Sequence, residues 1–492
     1  MSRAETLLAL PPEEVCLGDF TDIHAATQAD RPALSDHLVT LTWGELNERA
    51  HRLAHAMAAR GVKVGDYVTI GLPNSVGFME AAIAAWKVGA IPQPVSNRLP
   101  RGELEAVLDL VKPALVVANP DLATDRQTVT IATLLAEQPD FRTFDSLIAP
   151  YWKAPTSGGS TGRPKLIVAG QPGVLASAPT VVWRNLPDDV ALMPGPLYHN
   201  GPFVSATGAL AVGGHLVIMP RFDPLKTVEA VQTHKATWLY LVPTMMSRIW
   251  GLGEDVRGSY DLSSLKTVWH LAAPCPAWLK AAWIEWIGPE IIWELYAGTE
   301  AQAVTVINGA EWLAKRGSVG KVAVGEMQAF DESGAPLPAG VTGEIFMRRP
   351  EGAPPSYKYV GAEARTIGEW ESLGDIGWID EDGFVFLADR RTDMILVGGA
   401  NVYPAEIEGA LEEHPQVHSA CAIGLPDDDL GNRVHAIIQA DPDIDMAALE
   451  AHLADRLLPY KRPRSFEMAA EPLRDDAGKV RRSQLREARL KT

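Results

Sequence analysis

The chain of 492 residues is poor in cysteine, with only Cys16, Cys275 and Cys421, which lie far apart. None of them forms a C-x-x-C pair, so the sequence predicts neither a disulfide framework nor a structural zinc site. Such cysteine usage fits a reducing compartment. We therefore expect a cytoplasmic protein.

The sequence also lacks excess positive charge and long apolar runs. Its 44 Lys+Arg against 62 Asp+Glu give a net charge of −18, which argues against a protein that coats nucleic acids or anionic membranes. No apolar run reaches the length of a membrane span, and prolines and glutamates interrupt the first one before a signal peptide core develops. We expect no nucleic acid and no membrane as partners, whereas a homo-oligomer is compatible with the sequence.

Helical and strand patterns alternate along most of the chain, whose composition, 47% hydrophobic and 22% charged, is that of a globular protein. Apolar residues at helical spacing follow Thr42, a suitable N-cap, and stop before Gly61. A strand pattern over 67–72 and a helical pattern over 78–88 come next. This alternation is typical of βαβ units and a mostly parallel sheet, so we expect an α/β protein.

The pattern changes toward the C-terminus. Residues 374–393 predict two antiparallel strands joined by an Asp-Gly turn at 382–383. About 100 residues follow, which is enough for a small domain, with two predicted helices and two predicted strands. We place a large N-terminal α/β body at residues 1–390 and a small α+β domain at residues 391–492.

The most informative segment is residues 157–165, SGGSTGRPK. Its glycines allow several backbone N–H groups to face one point, the hydroxyls of Ser160 and Thr161 add donors, and Lys165 adds a positive charge. This combination suits a polyphosphate. A flexible surface loop is the competing interpretation, since Gly/Ser segments are common in turns.

The same segment is not a Walker A sequence, because Arg163 follows Gly162 and no Ser or Thr follows Lys165. Residues 158–162 do match the G-x-S-x-G elbow of α/β-hydrolases, which requires a helix directly after the serine. Pro164 and the apolar residues after Lys165 predict a strand instead. A hydrolase is therefore a distant alternative.

Further segments in the same order complete a resemblance to a known family. They are 196–201 (PLYHNG), 296–300 (YAGTE), 374–375 (GD), 389–393 (DRRTD), 398–408 (GGANVYPAEIE) and 478–482 (GKVRR). With the Gly-rich segment, they resemble the adenylate-forming superfamily, in particular its acyl-CoA synthetases. The resemblance implies a body of several α/β subdomains and a small C-terminal domain that rotates about a hinge near Thr392.

The resemblance implies a site for ATP and Mg²⁺. An aromatic ring can stack on adenine, a hydroxyl can donate to the α-phosphate, and a carboxylate can hold Mg²⁺. The nucleotide-binding residues implied are Ser160, Thr161, Gly162, Lys165, Ala272, Ala273, Pro274, Tyr296, Thr299, Asp375, Arg390 and Lys479. The catalytic residues implied are Lys479, Lys165, Glu300 and Thr299, with Glu300 as the metal ligand.

The implied reaction joins a carboxylic acid to CoA through an acyl adenylate. Gly398, Gly399 and Ala400 correspond to the CoA-binding segment, and a carrier protein is left open as the thiol donor. The acyl pocket is expected at Tyr198, His199, Trp238, Ala297 and Gly298. The segments around them are aromatic and aliphatic, so we expect a bulky apolar acid.

Several positions depart from the family pattern. Thr392 replaces a charged hinge residue, Leu166 replaces a glycine, and Ala272 replaces the glycine of a Gly-Ala-Pro segment. Residues 474–478, RDDAG, lose a hydroxyl before Lys479 and gain carboxylates. These departures leave open a variant competent mainly in thioester formation from an acyl adenylate. The sequence is also compatible with an acyl-AMP ligase that loads a carrier protein and with a non-catalytic nucleotide sensor.

Overall fold

The computed structural model describes residues 3–158, 164–178, 180–427, 429–475 and 478–490. The helices are α1 (Arg3–Leu8), α2 (Phe20–Gln28), α3 (Trp43–Ala59), α4 (Val76–Lys87), α5 (Arg101–Val111), α6 (Ile131–Glu137), α7 (Asn200–Ala211), α8 (Pro224–His234), α9 (Pro243–Trp250), α10 (Glu254–Gly258), α11 (Ala277–Ile287), α12 (Gly309–Ala314), α13 (Pro404–Glu412), α14 (Met446–Ala454) and α15 (Arg482–Leu490).

The strands fall into two runs along the chain. The first run is β1 (Pro32–Ser35), β2 (Thr40–Thr42), β3 (Tyr67–Gly71), β4 (Ile91–Pro94), β5 (Leu115–Ala118), β6 (Thr128–Val129), β7 (Thr156–Gly158), β8 (Pro164–Ala169), β9 (Val190–Met193), β10 (His215–Ile218), β11 (Trp238–Leu241), β12 (Thr267–Leu271) and β13 (Ile292–Tyr296). The second is β14 (Val304–Asn308), β15 (Ser318–Val324), β16 (Glu326–Phe330), β17 (Gly343–Arg348), β18 (Tyr357–Val360), β19 (Arg365–Ile367), β20 (Trp370–Ile379), β21 (Phe384–Arg390), β22 (Ile395–Val397), β23 (Ala400–Val402), β24 (Val417–Asp427), β25 (Gly431–Ala440) and β26 (Ser465–Met468).

The largest sheet has 14 strands and changes character along its width. Strands β1, β10, β9, β11, β12 and β13 are parallel, as the sequence predicts. From β13 onward, β14, β15, β21, β20, β17 and β16 pair antiparallel. The expectation of a mostly parallel sheet is wrong for this half, where short connections such as the turn at Gly383 force neighbouring strands to reverse direction. A separate four-stranded sheet of β4, β3, β5 and β6 is fully parallel.

The predicted start and end of α3 and the predicted strand after Lys165 are confirmed. Thr42 caps α3, and its hydroxyl accepts from the Glu45 N–H while the Glu45 carboxylate accepts from the Thr42 N–H. The chain leaves the helix through Gly61, whose φ is +89°. Strand β8 begins at Pro164, where a hydrolase elbow would require a helix. The strand excludes a hydrolase elbow on structural grounds.

The region after residue 391 has a core of its own. Apolar side chains from β22, α13, β24, β25 and α14 bury one another in a single cluster. Its contacts with the body include Gly478, where a Cβ would lie 2.8 Å from Thr244 Oγ1, and an ion pair of 3.6 Å between Arg481 and Glu103. The position of the boundary at residue 391 stays a prediction.

His51 and His55 have the i,i+4 spacing of one helix face, which the sequence predicts to be solvated and not a metal site. His51 is instead fully buried, and its Nε2 lies 2.9 Å from Asp22 Oδ1. Helix α3 packs between α2 and α4, so that face is an interior one. Within the described ranges, no cluster of three or more His, Cys, Asp or Glu could hold a metal ion, and no helix is long and apolar enough to cross a membrane.

Candidate active site

Four neighbouring parallel strands, β9, β11, β12 and β13, end at one edge of the large sheet. Ligand sites in α/β sheets lie outside the carboxyl ends of such strands. His199 follows β9, Thr244 follows β11, Ala272 follows β12, and residues 296–300 follow or close β13. The expected pocket and nucleotide segments therefore converge on this edge, although they are far apart in the sequence.

Tyr296, Asp375 and Arg390 form a connected group beside that edge. The Tyr296 hydroxyl donates to Asp375 Oδ2 at 2.6 Å, and Arg390 Nε lies 3.4 Å from Asp375 Oδ1. Asp375 on β20 and Arg390 on β21 are direct cross-strand partners, so the antiparallel pairing itself brings them together. Burial, and then the Asp375 charge, raises the pKa of Tyr296, which therefore stays a hydrogen-bond donor.

Lys165 and Glu300 meet through a tyrosine that the sequence did not single out. Lys165 Nζ donates to Tyr359 Oη at 3.0 Å and to Glu300 Oε1 at 3.4 Å, and the Tyr359 hydroxyl also donates to Glu300. Tyr359 on β18 pairs with Ile167 on β8, which places it diagonally across from Lys165. Burial and the Glu300 charge raise the pKa of Tyr359.

Lys479 reaches the same cleft from the C-terminal region. Loss of hydration in the cleft, and then the charge of Arg390, lowers the pKa of its ammonium, whereas Asp475 and Glu300 oppose that effect. The backbone fixes its position, because Lys479 N–H donates to Asp475 Oδ1 at 2.9 Å and Asp475 N–H donates to the Lys479 carbonyl at 3.0 Å. The neighbouring Gly478 lies against Thr244, which follows β11, so Lys479 is at the same edge of the sheet as Lys165 and Glu300, with its side chain exposed.

His199 and Lys153 line the side of this edge next to α7. Burial, and then the Lys479 charge, lowers the pKa of His199 to about 3, and within the described residues its buried Nε2 has no hydrogen-bond partner. Such an imidazole is neutral at physiological pH. The next residue, Asn200, is the first of α7, and its Oδ1 accepts from Lys153 Nζ at 2.7 Å.

The other expected site residues are distributed as follows. Ala297 and Gly298 lie beside Glu300, and a Cβ on Gly298 would come within 2.8 Å of Glu300 Oε2. Tyr198 packs against His199 with ring centroids 4.3 Å apart. Ala272, Ala273 and Pro274 follow β12 with at least partly exposed side chains, and Thr299 is half-buried. Ser160, Thr161 and Gly162 lie outside the described residues.

Two of the expected groups lie elsewhere in this arrangement. Trp238 is fully buried and its indole N–H donates to the Trp183 carbonyl at 2.9 Å, so its side chain belongs to the core and not to a pocket wall. Gly398 and Gly399 form the tight turn between β22 and β23, with φ of +55° and +82°. Gly398 N–H donates to the Leu430 carbonyl, within the C-terminal region.

Lys153 and Tyr359 are the residues that sequence analysis missed. Lys153 lies in a mostly apolar stretch just before the Gly-rich segment. A single lysine in such a stretch is unusual, and this could have marked it as a candidate site residue. Tyr359 carries no such signal, because its role depends on the pairing of β18 with β8, which are nearly 200 residues apart in the chain.

Comparisons with known proteins identify the family of the chain. The family profile "AMP-binding enzyme" matches residues 21–357, and "AMP-binding enzyme C-terminal domain" matches residues 406–479. A feruloyl-CoA synthase from an Amycolatopsis species is 30% identical and covers 91% of this chain and 93% of its own. A sulfoacetate–CoA ligase from Cupriavidus necator is also 30% identical, with 94% and 96% covered.

The fold agrees with a solved structure as well. The anthranilate CoA ligase AuaEII, crystallised with anthranoyl-AMP, superposes with a TM-score of 0.82 at 23% identity, covering 99% of each chain. Fold, profile and sequence identity lead to one assignment. The chain belongs to the AMP-binding enzyme family and, within it, to the acid–CoA ligases.

Proposed function

We propose that this protein activates a bulky, largely apolar carboxylic acid as an acyl adenylate and transfers the acyl group to CoA. Its cofactors are those of acid–CoA ligases, ATP, Mg²⁺ and CoA. The observation that supports the proposal best is the contact of Gly478 with Thr244 after β11, which brings Lys479 to the edge of the sheet where Lys165 and Glu300 pair. Positive charge from both regions of the chain suits a reaction between two anions.

In the first step, an oxygen of the acid attacks the α-phosphorus of ATP, the bond to the bridging oxygen breaks, and pyrophosphate leaves with the electron pair. We assign nucleotide orientation to Tyr296, Asp375 and Arg390. Lys479 and Lys165 offset the negative charge that develops on the phosphoryl oxygens, which lowers the barrier. No residue of the chain acts as a nucleophile.

The metal requirement fits the residues present. Glu300 is a buried carboxylate, 6% exposed; Lys165 and Tyr359 contact its Oε1, and neither hydrogen bond uses its Oε2. Because Mg²⁺ keeps several waters and is held mainly by substrate phosphates, one protein carboxylate is sufficient. When bound, Mg²⁺ would neutralise phosphate charge, and we assign Glu300 to hold it.

In the second step, the CoA thiol attacks the acyl carbon, the bond to the AMP oxygen breaks, and the thiol proton passes to water. Gly398–Ala400 belong to the β22–β23 turn, whose Gly398 N–H donates to Leu430 within the C-terminal region, and we infer that the domain at 391–492 turns about Thr392 to bring them to the site. A tight glycine turn permits close approach to the narrow pantetheine arm. Lys479 leaves the cleft in the same motion.

The nature of the acid rests on the pocket walls. The similar proteins differ in the acid that their names state, a ferulate in one and sulfoacetate in another. Beside His199, the half-buried Tyr198 ring is the aromatic group available to face an acyl chain. An aromatic wall at this position favours an apolar acyl body.

The test is an assay of purified protein with Mg-ATP, CoA and a panel of carboxylic acids, following pyrophosphate release and acyl-CoA by mass spectrometry. We expect acyl-CoA from at least one bulky acid. Lys479→Ala should reduce pyrophosphate release by about 10²- to 10³-fold. Thioester formation from a chemically made acyl adenylate should persist in this variant, since Lys479 acts only in the first step.

One observation favours a second candidate, an enzyme competent mainly in thioester formation. Asp475 closes the turn that carries Lys479, and its charge opposes the fall in the pKa of that lysine. A carboxylate next to the lysine weakens its attraction for phosphate. Thioester from the ready-made adenylate but none from acid and ATP would establish this candidate. No product from either substrate would overturn both and favour a carrier-protein thiol or a nucleotide sensor.

A further inference from the structure

Lys153 is a buried lysine without a carboxylate partner. Its side chain is 5% exposed, and its Nζ donates to the neutral amide oxygen of Asn200 at 2.7 Å. Within the part of the chain that the structure describes, no ion pair involves this ammonium. Its remaining surroundings include the Trp152 ring, whose centroid lies 5.0 Å from Nζ.

Such an arrangement is costly for the protein alone. A buried ammonium without a counter-charge loses its hydration and gains only a neutral hydrogen bond in return. Burial lowers the pKa of Lys153 to about 8, opposed by the charge of Glu300. That carboxylate is already bonded to Lys165 and Tyr359. Lys153 therefore keeps two N–H donors for another acceptor and remains mostly charged at neutral pH.

Asn200 ties Lys153 to the acid side of the site. Asn200 begins α7 directly after His199, at the carboxyl end of β9. Tyr296, Asp375 and Arg390, which we assign to nucleotide orientation, lie on β13 and on the antiparallel strands beyond it, whereas Glu300, which we assign to Mg²⁺, lies close enough for its charge to act on Lys153. Lys153 therefore lies where the acid side of the site meets the phosphate side, and its hydrogen bond to Asn200 favours the acid as its ligand.

We propose that Lys153, oriented by Asn200, binds a second oxyanion of the acid substrate, remote from the carboxylate that is activated. The inference rests on the proposed ligase function and narrows its substrate to an acid with an apolar body and a second carboxylate or sulfonate. That group supplies the counter-charge that Lys153 lacks. Lys153 is then a specificity-determining residue, and Asn200 is a positioning residue.

The experiment uses matched pairs of acids that differ in one group, such as an aromatic or alicyclic monoacid and the same acid with a carboxylate at the far end. Values of kcat/KM are measured for the full-length wild type, Lys153→Met, Lys153→Arg and Asn200→Asp. We expect the wild type to prefer the diacid. Lys153→Met should reduce kcat/KM for the diacid by about 10- to 100-fold, the value of a charged hydrogen bond, and leave the monoacid nearly unchanged.

The other two variants control for folding and charge. Lys153→Arg keeps the charge and should retain part of the diacid preference. Asn200→Asp places a fixed carboxylate beside Lys153 and should abolish the preference, because the ammonium then has an internal partner. Calorimetric titration of the diacid in the presence of a non-hydrolysable ATP analogue should show the same loss in affinity for Lys153→Met.

Three results would overturn the inference. If Lys153→Met lowered kcat/KM equally for monoacid and diacid, the lysine would bind the reacting carboxylate. If the ratio of kcat/KM for diacid to that for monoacid stayed unchanged in all variants, the lysine would have only a structural role. A wild type that forms acyl-CoA and prefers monoacids would exclude a second oxyanion while leaving the ligase function intact. Failure of the proposed function is distinct, because no acid of either kind would then yield acyl-CoA.

Discussion

Ala272 has a backbone φ of +73°, in the left-handed region that an L side chain adopts at a cost. It stands where the sequence pattern expects a glycine, at the exit of β12 into the cleft. Ala272→Gly should therefore raise the free energy of unfolding by about 1 kcal/mol, since relief of the strain exceeds the entropic cost of glycine. The urea unfolding midpoint and KM for ATP measure the effect, and both should improve.

Ala273 is the matched control for that change, because its φ is not positive. Ala273→Gly relieves no strain and adds freedom only to the unfolded chain, so it should destabilise by up to about 1 kcal/mol. Equal stabilisation by both substitutions would show that backbone strain at Ala272 is not the cause.

His270 on β12 predicts a pH dependence of stability. It is fully buried, and burial lowers its pKa to about 4 from an ordinary value of 6.5. The unfolded chain binds a proton at His270 that the folded protein does not bind. The contribution of neutral His270 to the free energy of unfolding is therefore fully present above pH 6.5 and is lost as the pH falls toward 4. His270→Leu should reduce this slope by about 1.4 kcal/mol per pH unit.

Urea unfolding followed by tryptophan fluorescence between pH 4.5 and 7.5 measures the slope. The exposed His37 is the control, and His37→Leu should leave the slope unchanged. A slope identical in wild type and His270→Leu would contradict the burial of a neutral imidazole.

At the residue scale, the sequence predicted the site wherever short motifs carry the chemistry. Lys165, Glu300, Asp375, Arg390 and Lys479 are each marked by their neighbours, and the fold brings them together. Whether they act as proposed stays a prediction. Burial was harder to predict: Trp238 and His51 lie on segments whose partners come from distant parts of the chain, so their inward orientation is set by packing and not by local pattern.

At the element scale, helix α3 depends on its capping box. Thr42→Ala removes the acceptor for the Glu45 N–H and should lower the free energy of unfolding by about 1 kcal/mol. The urea midpoint measures it. Thr143→Ala, at an exposed threonine in an irregular segment, should change stability by less than about 0.5 kcal/mol. Equal effects at both sites would rule out the cap as a source of stability.

Elements were predictable where period and termination signals agree, as for α3, β3, α4 and the β20–β21 hairpin. Their bounds differ from the expected ones by a few residues, because helix ends fray into turns. The way in which the β20–β21 hairpin joins the large sheet could not be predicted, since β15 pairs with β21 across more than 60 residues of sequence. Such pairings depend on the packing of whole sheets, for which local sequence carries little information.

At the scale of the whole molecule, Thr392 is the proposed hinge. If it is, a substitution that stiffens it should impair thioester formation and spare adenylate formation. Among the described backbone hydrogen bonds, the Thr392 N–H donates none, whereas Arg391 and Asp393 on either side each donate one. Thr392→Pro therefore removes no bond from this arrangement but fixes φ near −65°. Adenylate formation should be retained while thioester formation falls at least about tenfold.

Thr392→Ala is the control for that experiment, since it removes the side chain and keeps φ free. It should support both steps at rates close to those of the wild type. Stopped assays of pyrophosphate release and of thioester formation from the ready-made adenylate measure the two steps separately. Equal losses in both steps for Thr392→Pro would argue against a hinge at this position.

The turn that carries Lys479 has a consequence for reversibility. Two of the hydrogen bonds in this turn join Lys479 to Asp475, so the lysine moves together with the C-terminal region. A group that lowers the barrier to adenylate formation lowers the barrier to its reversal equally, because both directions pass through one transition state. Under the proposed assignment, exchange of labelled pyrophosphate into ATP ceases once this region turns away. Adenylate formation, which is reversible while Lys479 is in place, therefore becomes kinetically irreversible before the thiol binds.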